Sequence, residues 1–274
     1  MPRLSSPLHA RMVCLDRDLI IPKEFIMTSL SPKYRLLRDE SIILNGHKLY
    51  RIQALRDFGN VKKGDLGGFI EREANLSHEG NCWALDNACV YDNALVSGDA
   101  QVSGSAHVYD DAQVCGNAQV SGDAWISGNA SISDAVRIIS NTWIFGKAEI
   151  SGNAQVLGDA HISGNAQVLG DAHISGKAQV SGYAQVFGHA YVSGKAHVTG
   201  NALVFGSAKI SGKARVYDDA QVFDHARIFG NAQVSGNAEI FDHAGVYGDA
   251  KILGNAQISS YADIYEDTVI TGEE

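Results

Sequence analysis

The sequence predicts an all-β protein: a single-stranded parallel β-helix of hexapeptide repeats with three faces and about ten coils, behind a small N-terminal β-hairpin cap. Three observations carry this prediction. From Val90 to Ile270 every sixth residue is Val or Ile, Ala usually follows four places later, and similar aromatic residues recur at every eighteenth position. We expect a poorly ordered or non-native extension over residues 1–33, the cap over 34–77 and the β-helix over 78–274.

Each hexapeptide is predicted to form one short strand and one bend. The unit is V/I-x-G-N/D-A-x, as in the stretch from Val156 to His161. A helix does not fit, because its turn is 3.6 residues long and a glycine in nearly every unit would oppose it. Because side chains alternate along a strand, Val or Ile and the preceding Ala face inward together. Gly, Asn and Asp tolerate the backbone conformation of the bend.

The residue just after each Val or Ile tests how many hexapeptides close one coil. Similar rings recur at every eighteenth position in three sets: Phe187, Phe205, Phe223 and Phe241; Phe229, Tyr247 and Tyr265; Tyr91 and Tyr109. A period of three hexapeptides predicts three faces, since similar residues then stack about 4.8 Å apart. The competing two-faced coil requires a period of two hexapeptides, which the aromatic residues meet only sporadically.

The segment before the repeats predicts a hairpin. Strands flank Asn45-Gly46, a pair typical of the type I′ turn, and the hairpin would cover the first coil's open edge. The chain has methionines only at positions 1, 12 and 27, and we expect translation to begin normally at Met27.

Composition and charge restrict the classes of partner. Residues 1–72 carry a net charge of +5 and residues 73–274 a net charge of −14, so the repeat is not expected to bind nucleic acid directly. No apolar run is long enough to span a bilayer, and no secretory signal is evident. The four cysteines, Cys14, Cys82, Cys89 and Cys115, lack a CxxC spacing. We therefore expect reduced thiols and a cytoplasmic location.

Residues 84–270 resemble the hexapeptide-repeat family, although glycine here comes one place later than in that family's usual unit. The segments Lys48–Phe58 (KLYRIQALRDF) and Gly64–Ile70 (GDLGGFI) are similar to the N-terminal part of the YdcK-like proteins of bacteria and phages. The resemblance implies a left-handed β-helix, a label of transferase, and trimers that hold acyl-coenzyme A between rods with a histidine as general base. An extruded loop often helps to present that histidine, and the repeat here has none.

Two outward columns are candidate site residues. The first is a contact stripe of aromatic residues, Phe187, Phe205, Phe223 and Phe241, with Phe229 and Tyr247. Contiguous apolar stripes usually mark a contact, and stabilisation of the sheet by stacked rings is the alternative. The second is a polar column, His189, His225 and His243, in which only the last two are close enough to share a metal. We therefore predict no metal site.

The resulting functional prediction is a non-catalytic solenoid that acts as a rigid interaction or assembly scaffold, forms homo-oligomers through its faces and needs no cofactor. A protein partner is an open alternative to self-association. The alternative function is a hexapeptide-repeat acyltransferase that uses acetyl-CoA at a subunit interface, with catalytic residues that the sequence does not identify. An acidic mimic of nucleic acid is a third hypothesis, supported by the charge of the rod alone.

Overall fold

A computed structural model describes residues 31–272 of the chain, and from Pro32 onward the chain forms one compact unit. The predicted N-terminal extension and the Met27 start lie largely outside the described residues. Strand β1 (Tyr34–Leu44) pairs antiparallel with β2 (His47–Ala54), and β2 pairs antiparallel with β3 (Leu66–Ile70). Asn45 and Gly46 both have positive φ, as a type I′ turn requires.

The rest of the chain is a parallel β-solenoid with three sheets. The only helical element among the described residues is a single 3₁₀ turn, Glu73–Asn75. Strand β3 belongs to the cap sheet and also pairs in parallel with Cys89–Val90, so the solenoid begins at Leu66. The predicted fold class is therefore confirmed, with about eleven turns rather than ten because of this earlier start.

The chain visits the three faces in a fixed order, first face, third face, second face. The first face contains the parallel strands Leu66–Ile70, Cys89–Val90, His107–Val108, Trp125–Ile126, Trp143–Ile144, His161–Ile162, Gln179–Val180, His197–Val198, Arg215–Val216, Gln233–Val234, Lys251–Gly254 and Val269–Gly272. The second face contains Trp83–Ala84, Gln101–Val102, Gln119–Val120, Arg137–Ile139, Gln155–Leu157, His173–Ile174, Tyr191–Val192, Lys209–Ile210, Arg227–Ile228, Gly245–Val246 and Asp263–Ile264. The third face contains Leu95–Val96, Gln113–Val114, Ser131–Ile132, Glu149–Ile150, Gln167–Val168, Gln185–Val186, Leu203–Val204, Gln221–Val222, Glu239–Ile240 and Gln257–Ile258.

The core is a narrow column of Val, Ile and Ala. Every repeat Val or Ile from Val90 to Ile258 is buried, and so is the Ala of each corner in that stretch. Register joins each residue to the one three hexapeptides later, as Gln185 is joined to Leu203. The two-faced coil is thereby excluded, and residues eighteen positions apart become neighbours on one face.

The cap supplies hydrogen-bond donors to the start of the solenoid. At the corners a backbone N–H donates to a carbonyl of the following coil, as Asp99 does to Gly116 at 2.7 Å. The carbonyls of the first coil receive no such hydrogen bonds, because no coil precedes it. Buried carbonyls nevertheless need hydrogen-bond donors. The buried Lys33 Nζ donates to the carbonyl of Cys82 at 2.9 Å, and Tyr34 Oη donates to that of Leu76 at 2.7 Å. The basic side chain of Lys33 therefore serves as a hydrogen-bond donor to carbonyls at the open edge of the first coil.

The thiols are not all alike. Cys82 and Cys89 are buried free thiols, and burial raises the pKa of Cys89 to about 11. Lys33 Nζ lies 3.2 Å from Cys82 Sγ. The expectation of reduced thiols is confirmed for these two cysteines.

Candidate functional site

The predicted phenylalanine stripe is one continuous ladder on the third face. The ring centroids of Phe187, Phe205, Phe223 and Phe241 are separated by 4.9, 4.9 and 5.1 Å, and successive planes differ by 3° or less. Each ring is partly exposed. Stacked rings cover one another's faces and leave their edges to solvent, so this ladder presents a flat apolar strip about four coils long.

The other two aromatic residues of the predicted stripe lie elsewhere. Phe229 and Tyr247 stack at 5.8 Å, and Tyr247 stacks on Tyr265 at 5.1 Å. These three follow second-face strands, whereas the phenylalanine ladder follows third-face strands. The sequence-predicted stripe is thus two separate ladders on two faces.

The histidine column lies at the corner that follows the third face. His225 and His243 stack at 4.9 Å, and His243 stacks on Tyr261 at the same distance. His189 is two coils away from His225 and instead places its Nδ1 3.5 Å from Asp171 Oδ2. All three histidines are exposed, and the structure does not gather them into one cluster.

A third ladder, on the first face, was missed by the sequence analysis. His107, Trp125, Trp143 and His161 stack with centroid distances of 4.3, 5.9 and 5.7 Å. These residues precede the inward Val or Ile, whereas the phenylalanines follow it. Their recurrence at every eighteenth position is the sequence signal of this ladder.

The most exposed part of this third ladder coincides with an irregular stretch of the repeat. Trp143 is 47% exposed, and Phe145, on the same face, is 41% exposed. One corner earlier, Ser140 takes a φ of +77°, and Thr142 replaces the corner Ala with its buried hydroxyl lacking a hydrogen bond. Two neighbouring exposed rings form a contiguous apolar patch, which makes this patch a second candidate contact surface.

The described residues contain one cluster of metal-ligating side chains, where the cap meets the first coils. His47 Nδ1 lies 3.1 Å from Glu71 Oε1, and His47 Nε2 lies 3.5 Å from Asp92 Oδ1. Ligand atoms from these three residues all lie within 4.8 Å of one another. Imidazole and carboxylates could hold a divalent ion such as zinc. In the structure as it stands, they form a His–carboxylate latch between hairpin and solenoid.

The latch gives a testable pH dependence. The hydrogen bond to Glu71 raises the pKa of His47 above its ordinary value, and the charge of Asp92 adds to this increase. A raised pKa means that the latch stabilises the cap fully below the unfolded-state pKa of about 6.5, and that this contribution is lost as pH rises through the folded-state pKa. We expect amide hydrogen exchange in β1 and β2, corrected for intrinsic rates, to quicken as the pH rises from about 6.5 through the folded-state pKa of His47. His47→Gln should remove this dependence, and an unchanged profile in that variant would contradict the latch.

None of these features lies in a deep cleft. Two depressions in the described part of the chain, one beside Tyr191 and Phe229 on the second face and one beside His197 and Tyr217 on the first, are shallow. No helix among residues 31–272 has the length and apolarity needed to cross a bilayer. Fold and surface together define a protein class: a three-sided parallel β-solenoid of hexapeptide repeats with aromatic ladders on its faces.

Comparison with known proteins refines that class. The family described as YdcK Beta solenoid repeat matches residues 88–104, 112–128 and 220–236. The "Uncharacterized acetyltransferase YdcK" of Escherichia coli (strain K12) is 40% identical over 65 residues, which are 21% of this chain and 20% of that relative. The chain is therefore similar to the YdcK-like β-helix proteins over these segments.

Two solved structures also show similarity. The UDP-N-acetylglucosamine acyltransferase of Francisella novicida is 17% identical, with a TM-score of 0.28 over 60% of this chain and 62% of its own. The UDP-N-acetylglucosamine acyltransferase of Campylobacter jejuni is 16% identical, with a TM-score of 0.30 over 74% of this chain and 71% of its own.

Proposed function

We propose that this protein is a rigid, non-catalytic scaffold that assembles with its own copies through the aromatic ladders on its faces. The observation that carries this proposal is the phenylalanine ladder, four partly exposed rings in register on a flat sheet. Side-by-side packing of two such faces would bury the ring edges without any change of backbone. The scaffold is a bacterial or phage protein of the cytoplasm in this proposal.

The alternative is an acyltransferase that uses acetyl-CoA at an interface between subunits. The name of the Escherichia coli relative supports it, through a match to one fifth of that protein's length. Both functions require self-association, so the oligomer alone does not separate them. In this alternative the histidines along the corners, such as His189, are the available general bases.

Calorimetry with acetyl-CoA on the assembled protein separates the two functions. A scaffold should bind acetyl-CoA no more tightly than adenosine 3′,5′-bisphosphate, whose phosphates alone can meet exposed basic side chains, because the depressions beside Tyr191 and beside His197 are too shallow to enclose the acetyl-pantetheine arm. The fraction of assembled protein should be checked by light scattering in the same buffer. Micromolar binding that disappears on dissociation of the oligomer would contradict the scaffold and favour the acyltransferase.

A further inference from the structure

The charge of the rod is divided into blocks. Residues 172–217 contain no Asp or Glu and carry a net charge of +5, whereas residues 73–171 carry −10 and residues 218–272 carry −7. Because each coil is made of three hexapeptides, the basic block occupies between two and three successive coils. A belt without acidic residues therefore lies in the middle of an acidic rod.

Within this belt the lysines are concentrated at one corner. Lys177, Lys195 and Lys213 occupy the same place in three consecutive corners between the second and first faces. Their backbones are joined directly, since Lys177 N–H donates to Gly194 and Lys195 N–H donates to Gly212, both at 2.6 Å. All three side chains are exposed. Lys177 Nζ lies 3.7 Å from Asp159 of the preceding acidic block, while the ion pairs of residues 31–272 involve neither Lys195 nor Lys213.

Two shallow depressions flank this corner. On the second face, Tyr191, Lys209 and Phe229 line one of them. On the first face, His197, Arg215 and Tyr217 line the other, with Asp218 of the following acidic block at its border. The chain runs from Tyr191 through Lys195 to His197, so the lysine corner forms the ridge between the two. Five cationic side chains thus converge on one edge with aromatic rings on both sides.

We propose that this basic edge is a binding site for a compact ligand bearing several phosphates. Ammonium and guanidinium groups pair well with phosphate oxygens, and the unpaired Lys195 and Lys213 are free to do so. The ligand is compact because the acidic blocks border the edge directly: Asp159 lies 3.7 Å from Lys177 Nζ, and Asp218 lines the first-face depression, both within one Debye length at physiological salt. A long polyanion lying along the rod would meet their repulsion. This site is independent of the scaffold function proposed above.

The test is calorimetric titration of the full chain with tripolyphosphate at low salt. Wild type should bind, and Lys195→Gln with Lys213→Gln should weaken binding about twentyfold, since each ammonium removed costs about fivefold. The control variant carries Lys147→Gln with Lys251→Gln, which removes the same charge from exposed sites outside the belt. It should bind tripolyphosphate as wild type does. Circular dichroism should show that both variants retain the fold.

Three results would overturn the proposal. The first is no binding by wild type at millimolar tripolyphosphate. The second is equal weakening in both double variants, which would mean that binding follows net charge alone. The third is tighter binding of a 30-nucleotide single-stranded DNA than of tripolyphosphate, which would identify an extended polyanion as the preferred ligand.

Discussion

Replacing Gly188 with valine is expected to lower the free energy of unfolding by about 1–3 kcal/mol, the cost of forcing a β-branched residue into the left-handed region. Gly188 has a φ of +70° at a corner, and a Cβ there would lie 3.1 Å from the carbonyl oxygen of Gly206 in the next coil. The backbone strain and the steric crowding therefore both arise from the added Cβ atom. The change should be measured by urea unfolding followed by circular dichroism.

The matched control for this variant is Gly188→Asp. The corner one coil beyond Gly206 holds Asp224 with a φ of +56°, and the next holds Asp242 with a φ of +55°. Asp242 Oδ2 accepts the backbone N–H of Ser260 at 2.9 Å, so an Asp at this position gains a hydrogen bond to the next coil. We expect Gly188→Asp to cost less than about 1 kcal/mol. Equal losses for Val and Asp would show that steric crowding, rather than backbone conformation, controls the corner.

The second large effect is expected from Phe205→Ser combined with Phe223→Ser. If the third face is the contact between copies, the double variant should shift from oligomer to monomer in light scattering. Burying a phenylalanine edge contributes on the order of 1.5 kcal/mol, so two losses should weaken association about a hundredfold. The inward Val204 and Val222 remain, and the monomer fold should persist.

The control for the second prediction uses the other candidate surface. Trp143→Ser with Phe145→Ser removes the exposed pair on the first face and leaves the phenylalanine ladder intact. An unchanged mass for the phenylalanine variant, together with a lower mass for this one, would move the contact to the first face. An unchanged oligomeric mass for both variants would show that neither aromatic surface forms the contact between copies.

The fold could be predicted almost completely from sequence because one spacing controls it. Val186 and Val204 are three hexapeptides apart, and both are buried in the core on the third face. The aromatic residues that follow them, Phe187 and Phe205, then stack as that spacing requires. The Asn45-Gly46 turn was predicted separately, from the preference of this pair for the type I′ turn. The predicted start of the β-helix, residue 78, lies after the observed one. The strand Leu66–Ile70 already pairs in parallel with the next coil, before the repeat motif becomes regular.

The candidate surfaces were less predictable. Sequence spacing revealed the phenylalanine ladder but joined it to Phe229 and Tyr247, because the face of each residue was not assigned. The Trp125–Trp143 ladder has the same spacing and was missed because the position before each inward residue was not tested. The basic edge required both the face assignment and the corner stacking of Lys195 on Lys213, since along the sequence these lysines are only scattered members of an acidic repeat.

The sequence alone determined the period, the inside and outside of each strand and the three-sided cross-section, because these follow from local geometry repeated without interruption. The tertiary structure alone decided how the solenoid is closed at its start. Lys33 reaches Cys82 across 49 positions, and His47 reaches Glu71 across 24. No period connects such pairs, since each depends on where an irregular cap happens to place one side chain against the open edge of the first coil.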